Sequence, residues 1–349
     1  MNRHLISQDA PLIEAISKLN ALSGSAMTLF AVDGRGAVTG SLTDGDVRRA
    51  LLRGVATTDA VSRAANPHFK ALTGKEIDLE ALRDFRRSGL RLVPRLSADG
   101  TLMEIIDTRL TPTRLPLQAI LMAGGKGERL RPLTLATPKP LLEIGGRPII
   151  DHNIEALARA GITDIHVTVN YLAEQLEEHF NTPRHGVTVN CVREPQPLGT
   201  IGSAALVPLP DEGATLVMNS DLLTTLSFED MYLHHAAQQA AITIAAVPYN
   251  VSVPYAILTT DARGSVTALE EKPTYAYYAN AGIYIINNRL LRELPADRRT
   301  DATDLIEQAI AQGLAVSYFP ISGTWIDIGS PTDFAHAREL MSHHLSSAR

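Results

Sequence analysis

Cysteine is almost missing from this sequence. Cys191 is the single one in 349 residues, which excludes an intrachain disulfide framework, and no CxxC pair offers zinc spacing. Long apolar runs are missing too: none approaches the roughly 18–20 residues of a membrane helix. Met1-Asn2-Arg3-His4 leads into an amphipathic pattern and not into the apolar core of a signal peptide. No membrane partner is expected, and the cytoplasm is the expected compartment. Basic excess is absent as well. Residues 1–114 carry 16 Lys+Arg against 13 Asp+Glu, and the remainder 16 against 25, so neither part suggests a nucleic-acid surface. The eleven histidines are scattered or adjacent, as in His234-His235 and His343-His344. Helix neighbours do not share a face, and these read as surface residues and not as metal ligands.

What remains is the composition of a soluble globular protein, 20% charged and 45% hydrophobic, with a length that suits two domains. Residues 109–116, Arg-Leu-Thr-Pro-Thr-Arg-Leu-Pro, read as the linker, because two prolines in five positions disfavour helix and sheet alike. The expected division is 1–114 and 115–349. The first part holds a weak repeat. A helix over 11–22 precedes strands over 27–32 and 37–42 joined by Asp33-Gly34-Arg35-Gly36, with a further helix from Asp44. A helix over 79–87 then precedes strands over 91–96 and 102–106, joined by Ala98-Asp99-Gly100. Each copy is too small to bury a core alone, so the two should pack together.

Beyond the linker, short apolar strands alternate with amphipathic helices: strands over 117–122, 165–169, 187–192 and 216–218, and helices over 151–160, capped by Asp151, and 172–180. The expected fold class is α/β, a Rossmann-like, mostly parallel mixed sheet with helices on both faces, after a small α+β module. Strands over 255–260 and 265–269 read as a hairpin inserted into that sheet. A ligand site should lie beyond the carboxyl ends of the strands.

The first of those strands runs straight into Ala123-Gly124-Gly125-Lys126-Gly127-Glu128-Arg129-Leu130-Arg131-Pro132. Glycines there let backbone N–H groups approach phosphate oxygens, and Lys126, Arg129 and Arg131 concentrate positive charge in an otherwise acidic region. The loop is neither GxxxxGK[ST] nor GxGxxG. Taken alone, a Gly-rich turn with solvated charges is an equal alternative.

The stretch L-M-A-G-G-K-G-E-R-L-R-P-L-T with T-P-K-P-L-L after it resembles the signature of the sugar-phosphate nucleotidylyltransferases. The similarity continues through E-P-Q-P-L-G-T-I-G (194–202), N-S-D (219–221), E-E-K-P (270–273), N-A-G-I-Y (280–284) and W-I-D-I-G-S-P (325–331). This resemblance implies that a sugar-1-phosphate attacks the α-phosphate of a nucleoside triphosphate and that pyrophosphate leaves in line, so positioning and charge neutralisation carry the catalysis. It implies catalytic roles for Arg129 and Lys139, and nucleotide contacts from Leu121, Ala123, Gly124, Gly125, Glu194 and Gly199. It assigns the sugar phosphate to Asn219, Glu271, Lys272 and Asn280, and Mg²⁺ to Asp221 and Asp327. At Tyr255-Ala256 many relatives have Gly second, which leaves the sugar open. No hexapeptide repeats occur, so no acetyltransferase domain is expected. The joined module and L-G-T-I-G resemble guanylyltransferases of the glucosamine- and mannose-1-phosphate type. UTP- or dTTP-dependent glucose-1-phosphate chemistry and an inactive sugar-nucleotide sensor stay as alternatives. A glycosyltransferase would usually present D-x-D, and Asn219-Ser220-Asp221 has one acid.

The first part resembles paired cystathionine-β-synthase-type (CBS) domains, most clearly in G-S-L-T-D-G-D-V-R-R-A (40–50). That implies a regulatory nucleotide held by Thr43 and Asp46. Thr43 capping the following helix through Asp46 is the competing reading. A homo-oligomer is compatible with either resemblance.

Overall fold

The computed structural model describes residues 2–74, 77–109 and 113–347; Leu110, Thr111 and Pro112 of the expected linker lie outside them. The chain divides into two compact units, Met1–Arg114 and Leu115–Arg349.

The first unit is built twice from the same plan. Its elements are β1 (Leu5–Ser7), α1 (Leu12–Ala21), β2 (Thr28–Val32), β3 (Val38–Thr43), α2 (Asp44–Leu52), β4 (Leu72–Thr73), α3 (Leu79–Arg87), β5 (Leu92–Leu96) and β6 (Leu102–Asp107). β1 runs parallel to β2, and β2 antiparallel to β3; β4, β5 and β6 repeat that order. Both tight turns use an aspartate whose Oδ1 accepts backbone N–H groups: Asp33 from Arg35 and Ala37, Asp99 from Thr101. Phe30 and Val38 of one copy share a buried cluster with Leu92 and Leu96 of the other. Each such side chain contributes about 1.5–3 kcal/mol of burial that a lone copy would forgo.

The second unit begins with β7 (Leu117–Met122), the short pair β8 (Glu143–Ile144) and β9 (Arg147–Pro148), α4 (Ile149–Arg159), β10 (Ile165–Val169), α5 (Ala173–His179), β11 (Val189–Arg193) and β12 (Ala214–Asn219). It continues with β13 (Leu222–Thr224), α6 (Phe228–Ala237), β14 (Ile242–Ser252), β15 (Ile257–Thr260), β16 (Val266–Glu270), β17 (Thr274–Asn287), α7 (Asn288–Arg292), α8 (Ala302–Ala311), β18 (Val316–Pro320), β19 (Trp325–Asp327) and α9 (Pro331–Ser347). The main sheet has the order β11-β10-β7-β12-β17-β14-β18. β11, β10, β7 and β12 are mutually parallel, β17 is antiparallel to both its neighbours, and β18 is parallel to β14. Every residue of β10 is buried, as in a sheet covered on both faces. On one face Ile120, Val217, Tyr284 and Ile286 pack with Leu290, Leu291, Leu305 and Ala309 of α7 and α8.

Three expectations need correction. Strands β15 and β16 form a separate two-stranded sheet and are not inserted into the main one. Asp151 does not cap α4, which starts behind Pro148; its carboxylate is buried and paired with His179 at 2.7 Å. His4, His166 and His235 are buried and not on the surface. His235 is 6% exposed, bonded to Thr243 and Asn287, and burial pushes its pKa down.

Candidate active site

Four parallel strands, β7, β10, β11 and β12, deliver Ala123, Asn170, Glu194 and Ser220 to one edge of the sheet. There the loop after β7 lines one cavity with Ala123, Gly125, Arg129 and Lys139, and Asp221 joins them from the end of β12. A neighbouring cavity of about 370 Å³ shares Gly125 and Asp221 and adds Gly124, Glu194, Gly199 and Asn219. A third continues from Asn219 to Asn280, Trp325 and Asp327. The shared residues make these one cleft.

At its phosphate-loop end, Lys139 is 8% exposed and ion-paired with Asp221. Asp221 is held at the end of β12 by Ser220, whose Oγ donates to the Met122 carbonyl at 2.7 Å and whose own carbonyl accepts Asn153 Nδ2 at 3.2 Å. The β13–β19 ladder pairs Leu222 with Asp327, and Ile328 N–H donates to the Asp221 carbonyl at 3.1 Å, which brings the two carboxylates together. Burial first, then Asp221, raises the Asp327 pKa, against the opposing pull of Lys139 and Arg129. A Cβ at Gly329 would stand 3.3 Å from both Arg129 Nη atoms and 3.4 Å from Asp327 Oδ2. Two carboxylates and two cations thus meet at one spot, an array able to hold a polyphosphate with a hard cation. No cluster of three or more His, Cys, Asp or Glu residues able to hold a metal occurs among the described residues, so a cation here would take its remaining ligands from substrate and water.

In the middle, Glu194 is 7% exposed; its Oε2 accepts the Leu198 N–H at 3.2 Å, and burial raises its pKa against that bond and the Thr168 and Ser203 hydroxyls. A Cβ on Gly124 would lie 2.5 Å from Glu194 Oε1, so this carboxyl requires the glycine. Gly199, at φ +87, likewise rests on the Thr300 carbonyl, 2.5 Å from where its Cβ would be.

The other named residues divide. Leu121 is fully buried in the sheet, and Met122 reaches the cleft instead. Lys126 lines none of the three cavities, and Arg131 is paired with Glu128 at 3.4 Å. Glu271 and Lys272 sit on the exposed turn between β16 and β17, Lys272 at φ 46, away from the cleft walls. Tyr255 is 74% exposed, and neither it nor Ala256 reaches the cleft. Arg299 and Asp301, paired at 3.0 Å, border both the middle and the third cavities and carry no motif that sequence reasoning could catch.

The profile of the family described as Nucleotidyl transferase matches residues 118–343. The chain belongs to that family. It is 35% identical over 227 residues to a mannose-1-phosphate guanyltransferase of Candida albicans, covering 62% of each protein. It is 33% identical over 239 residues to that of Saccharomyces cerevisiae, covering 66% of each. The chain spans just under two thirds of the length of these curated relatives. Among solved structures it resembles HddC from Yersinia pseudotuberculosis, with 23% identity and a TM-score of 0.50 over 64% of this chain and 99% of that one. A candidate glucose-1-phosphate thymidylyltransferase from Bacillus anthracis gives 24% and 0.51 over 64% and 95%. These likenesses show the nucleotidyl transferase type of α/β fold.

Proposed function

We propose that the second unit is a sugar-1-phosphate guanylyltransferase. It would join GTP to mannose-1-phosphate or glucosamine-1-phosphate, forming a nucleotide diphosphosugar and pyrophosphate. The observation that carries this reading is the meeting of Arg129, Lys139, Asp221 and Asp327 beside the glycine loop, supported by the similarity to mannose-1-phosphate guanyltransferases. A sugar-phosphate oxygen attacks the α-phosphorus, and the bond to the β,γ-pyrophosphate breaks. Arg129 neutralises the leaving pyrophosphate, and Lys139 steadies the phosphate at the reacting centre. Gly124, Gly125 and Gly199 leave room for the nucleoside, and Glu194 accepts hydrogen bonds from the N1–H and exocyclic amine of guanine. Asn219 and Asn280 border the sugar end; for Glu271 and Lys272 the same role requires their turn to close onto bound sugar.

Asp221 and Asp327 fit Mg²⁺ by donor chemistry, two carboxylates with hard oxygens that the β13–β19 ladder brings together. The ion, when bound, would withdraw charge from the reacting phosphate. The reaction would run in the cytoplasm, in keeping with the single cysteine and with the lack, among the described residues, of any helix long and apolar enough to cross a membrane.

For the first unit the proposal is a paired CBS-type module that regulates the second by binding a nucleotide through Thr43 and Asp46. The duplicated topology supports it. Thr43 and Asp46 also form a complete capping box at α2, with Thr43 Oγ1 donating to Asp46 Oδ2 at 2.6 Å and Arg49 bound to Oδ1 at 2.6 Å. Ribose binding would therefore displace Arg49.

The test is a matrix of four nucleoside triphosphates and several sugar-1-phosphates read by pyrophosphate release. GTP with a mannose- or glucosamine-type sugar should give the highest kcat/KM. A lead for UTP or dTTP with glucose-1-phosphate overturns the base and sugar choice, and no release with any pair leaves an inactive sugar-nucleotide binder.

A further inference from the structure

The segment that carries both cleft cations is thinly anchored. Leu130 is buried at one end and Pro138, Lys139 and Pro140 at the other, but over 131–136 Thr134 alone is buried. Leu133 and Leu135 are exposed, so hydrogen bonds and not apolar burial must fix this stretch. Lys139 is tethered to Asp221, whereas Arg129 forms no ion pair among the described residues, and its aim depends on its backbone. Three successive carbonyls of the stretch are held from the turn into α5. The Tyr171 hydroxyl donates to the Thr134 carbonyl at 3.0 Å, with the Leu135 carbonyl at 3.3 Å, and Gln175 Nε2 donates to the Ala136 carbonyl at 2.8 Å. The Tyr171 backbone N–H also meets the Gly124 carbonyl, at 3.5 Å, so this one residue touches the glycine loop at its start and the chain beyond Arg129. Leu172, next in sequence, stands at φ 51, which bulky side chains rarely adopt and which persists only where the surroundings impose it. Tyr171 and Gln175 border none of the three cleft cavities.

We propose that Tyr171 is a positioning residue for the transfer reaction and acts through Arg129. This role rests on the nucleotidylyltransferase reading of the second unit. Thr134 passes the restraint on: its Oγ1 donates to the Gly127 carbonyl at 2.8 Å, and a Cβ at Gly127 would lie 2.9 Å from Thr134 Cγ2 and 3.2 Å from Lys139 Cβ. The hydroxyl of Tyr171 thus fixes Thr134, Thr134 fixes Gly127, and Gly127 leads into Arg129. Two cations aimed at one polyphosphate repel each other before it arrives. They stabilise developing charge best when they are already in place. A loop free to splay must be reorganised in each turnover, which lowers kcat more than it weakens ground-state binding.

Tyr171→Phe in the full chain removes the hydroxyl and keeps the ring. Its kcat should fall about tenfold, with KM for the triphosphate held within about twofold. In an Arg129→Ala background the same change should lower kcat by no more than about twofold, because residues that act as a unit are not additive. Hydrogen exchange without substrate gives a readout independent of turnover. Peptides spanning 127–139 should exchange about fivefold faster in Tyr171→Phe, while those of β7 keep the wild-type rate. Gln175→Ala, which releases the Ala136 carbonyl, should shift exchange in the same direction. Unchanged kcat overturns the proposal. So does unchanged exchange over 127–139, and so does a kcat loss as large in Arg129→Ala as in wild type, which would show that Tyr171 does not act through Arg129. A wild-type chain that releases no pyrophosphate with any substrate pair sinks the nucleotidylyltransferase reading and the catalytic role with it, whereas faster exchange in Tyr171→Phe would still show that the hydroxyl holds the loop.

Discussion

Lys139 and Asp221 are 82 residues apart in sequence and form an ion pair in which the lysine is 8% exposed. Removing one partner leaves the other charge uncompensated, whereas removing both does not. Lys139→Met should cost about 3 kcal/mol, the low end for a buried pair, because Asp221 keeps 23% of its side-chain surface exposed. Lys139→Met with Asp221→Asn should recover much of that in urea denaturation, although both proteins lose activity. A double variant as unstable as the sum of the singles would show that no such coupling exists.

Asp327 sets function against stability. Its pKa is raised in the native state by burial and by Asp221. Below the unfolded-chain value both states hold the proton, and the favourable linkage is fully present. It is lost as pH rises through the native value. Asp327→Asn, which never ionises, should therefore melt higher than wild type in EDTA at neutral pH, with the gap closing toward roughly pH 3. The same variant should lose about a hundredfold or more in Mg²⁺-dependent turnover. Calorimetry showing no gap at neutral pH would contradict the assigned cause of the shift.

Gly124 and Gly125 are neighbours with opposite tolerances. A methyl at 124 meets Glu194 Oε1 at 2.5 Å, while one at 125 meets nothing within 4 Å. Gly124→Ala should destabilise by about 1–3 kcal/mol as Glu194 is pushed from its bonds. Gly125→Ala should fold like wild type and raise KM for the triphosphate, since Gly125 lines both the phosphate-loop and middle cavities. Equal melting temperatures for the two variants would count against the Glu194 contact.

Arg129→Ala should lower kcat more than it raises KM, because charge on departing pyrophosphate grows toward the transition state. A raised KM with kcat intact would assign Arg129 to ground-state binding alone.

The strands that form the cleft edge, β7, β10, β11 and β12, were legible because burial on both faces makes them short apolar runs between turn signals. The arginine, lysine and carboxylate positions are singled out by the motif blocks alone; nothing in the spacing of Asp221 and Asp327 says that the β13–β19 ladder will join them. β1 and β4, of three and two residues, are too short to show any period. His235 reads as polar from its neighbours, yet a sheet threonine and a strand-end asparagine satisfy it inside. Arg299 and Asp301 sit in a charged stretch indistinguishable in sequence from a solvated loop, and only the fold of that stretch over Gly199 reveals them.

β14 and β17 stay paired from Ile242–Ile286 out to Ser252–Thr274, but their inner halves are buried and their outer halves largely exposed. The outer rungs hang on cross-strand contacts alone, such as Tyr249 opposite Tyr277. One strand pair, shifted in register between Ile244 and Ala246, therefore spans two regimes of hydrogen exchange. Amides near Ile285 open only when the whole unit unfolds, whereas those near Ala276 open whenever the ribbon breathes, so protection should fade rung by rung along the same two strands.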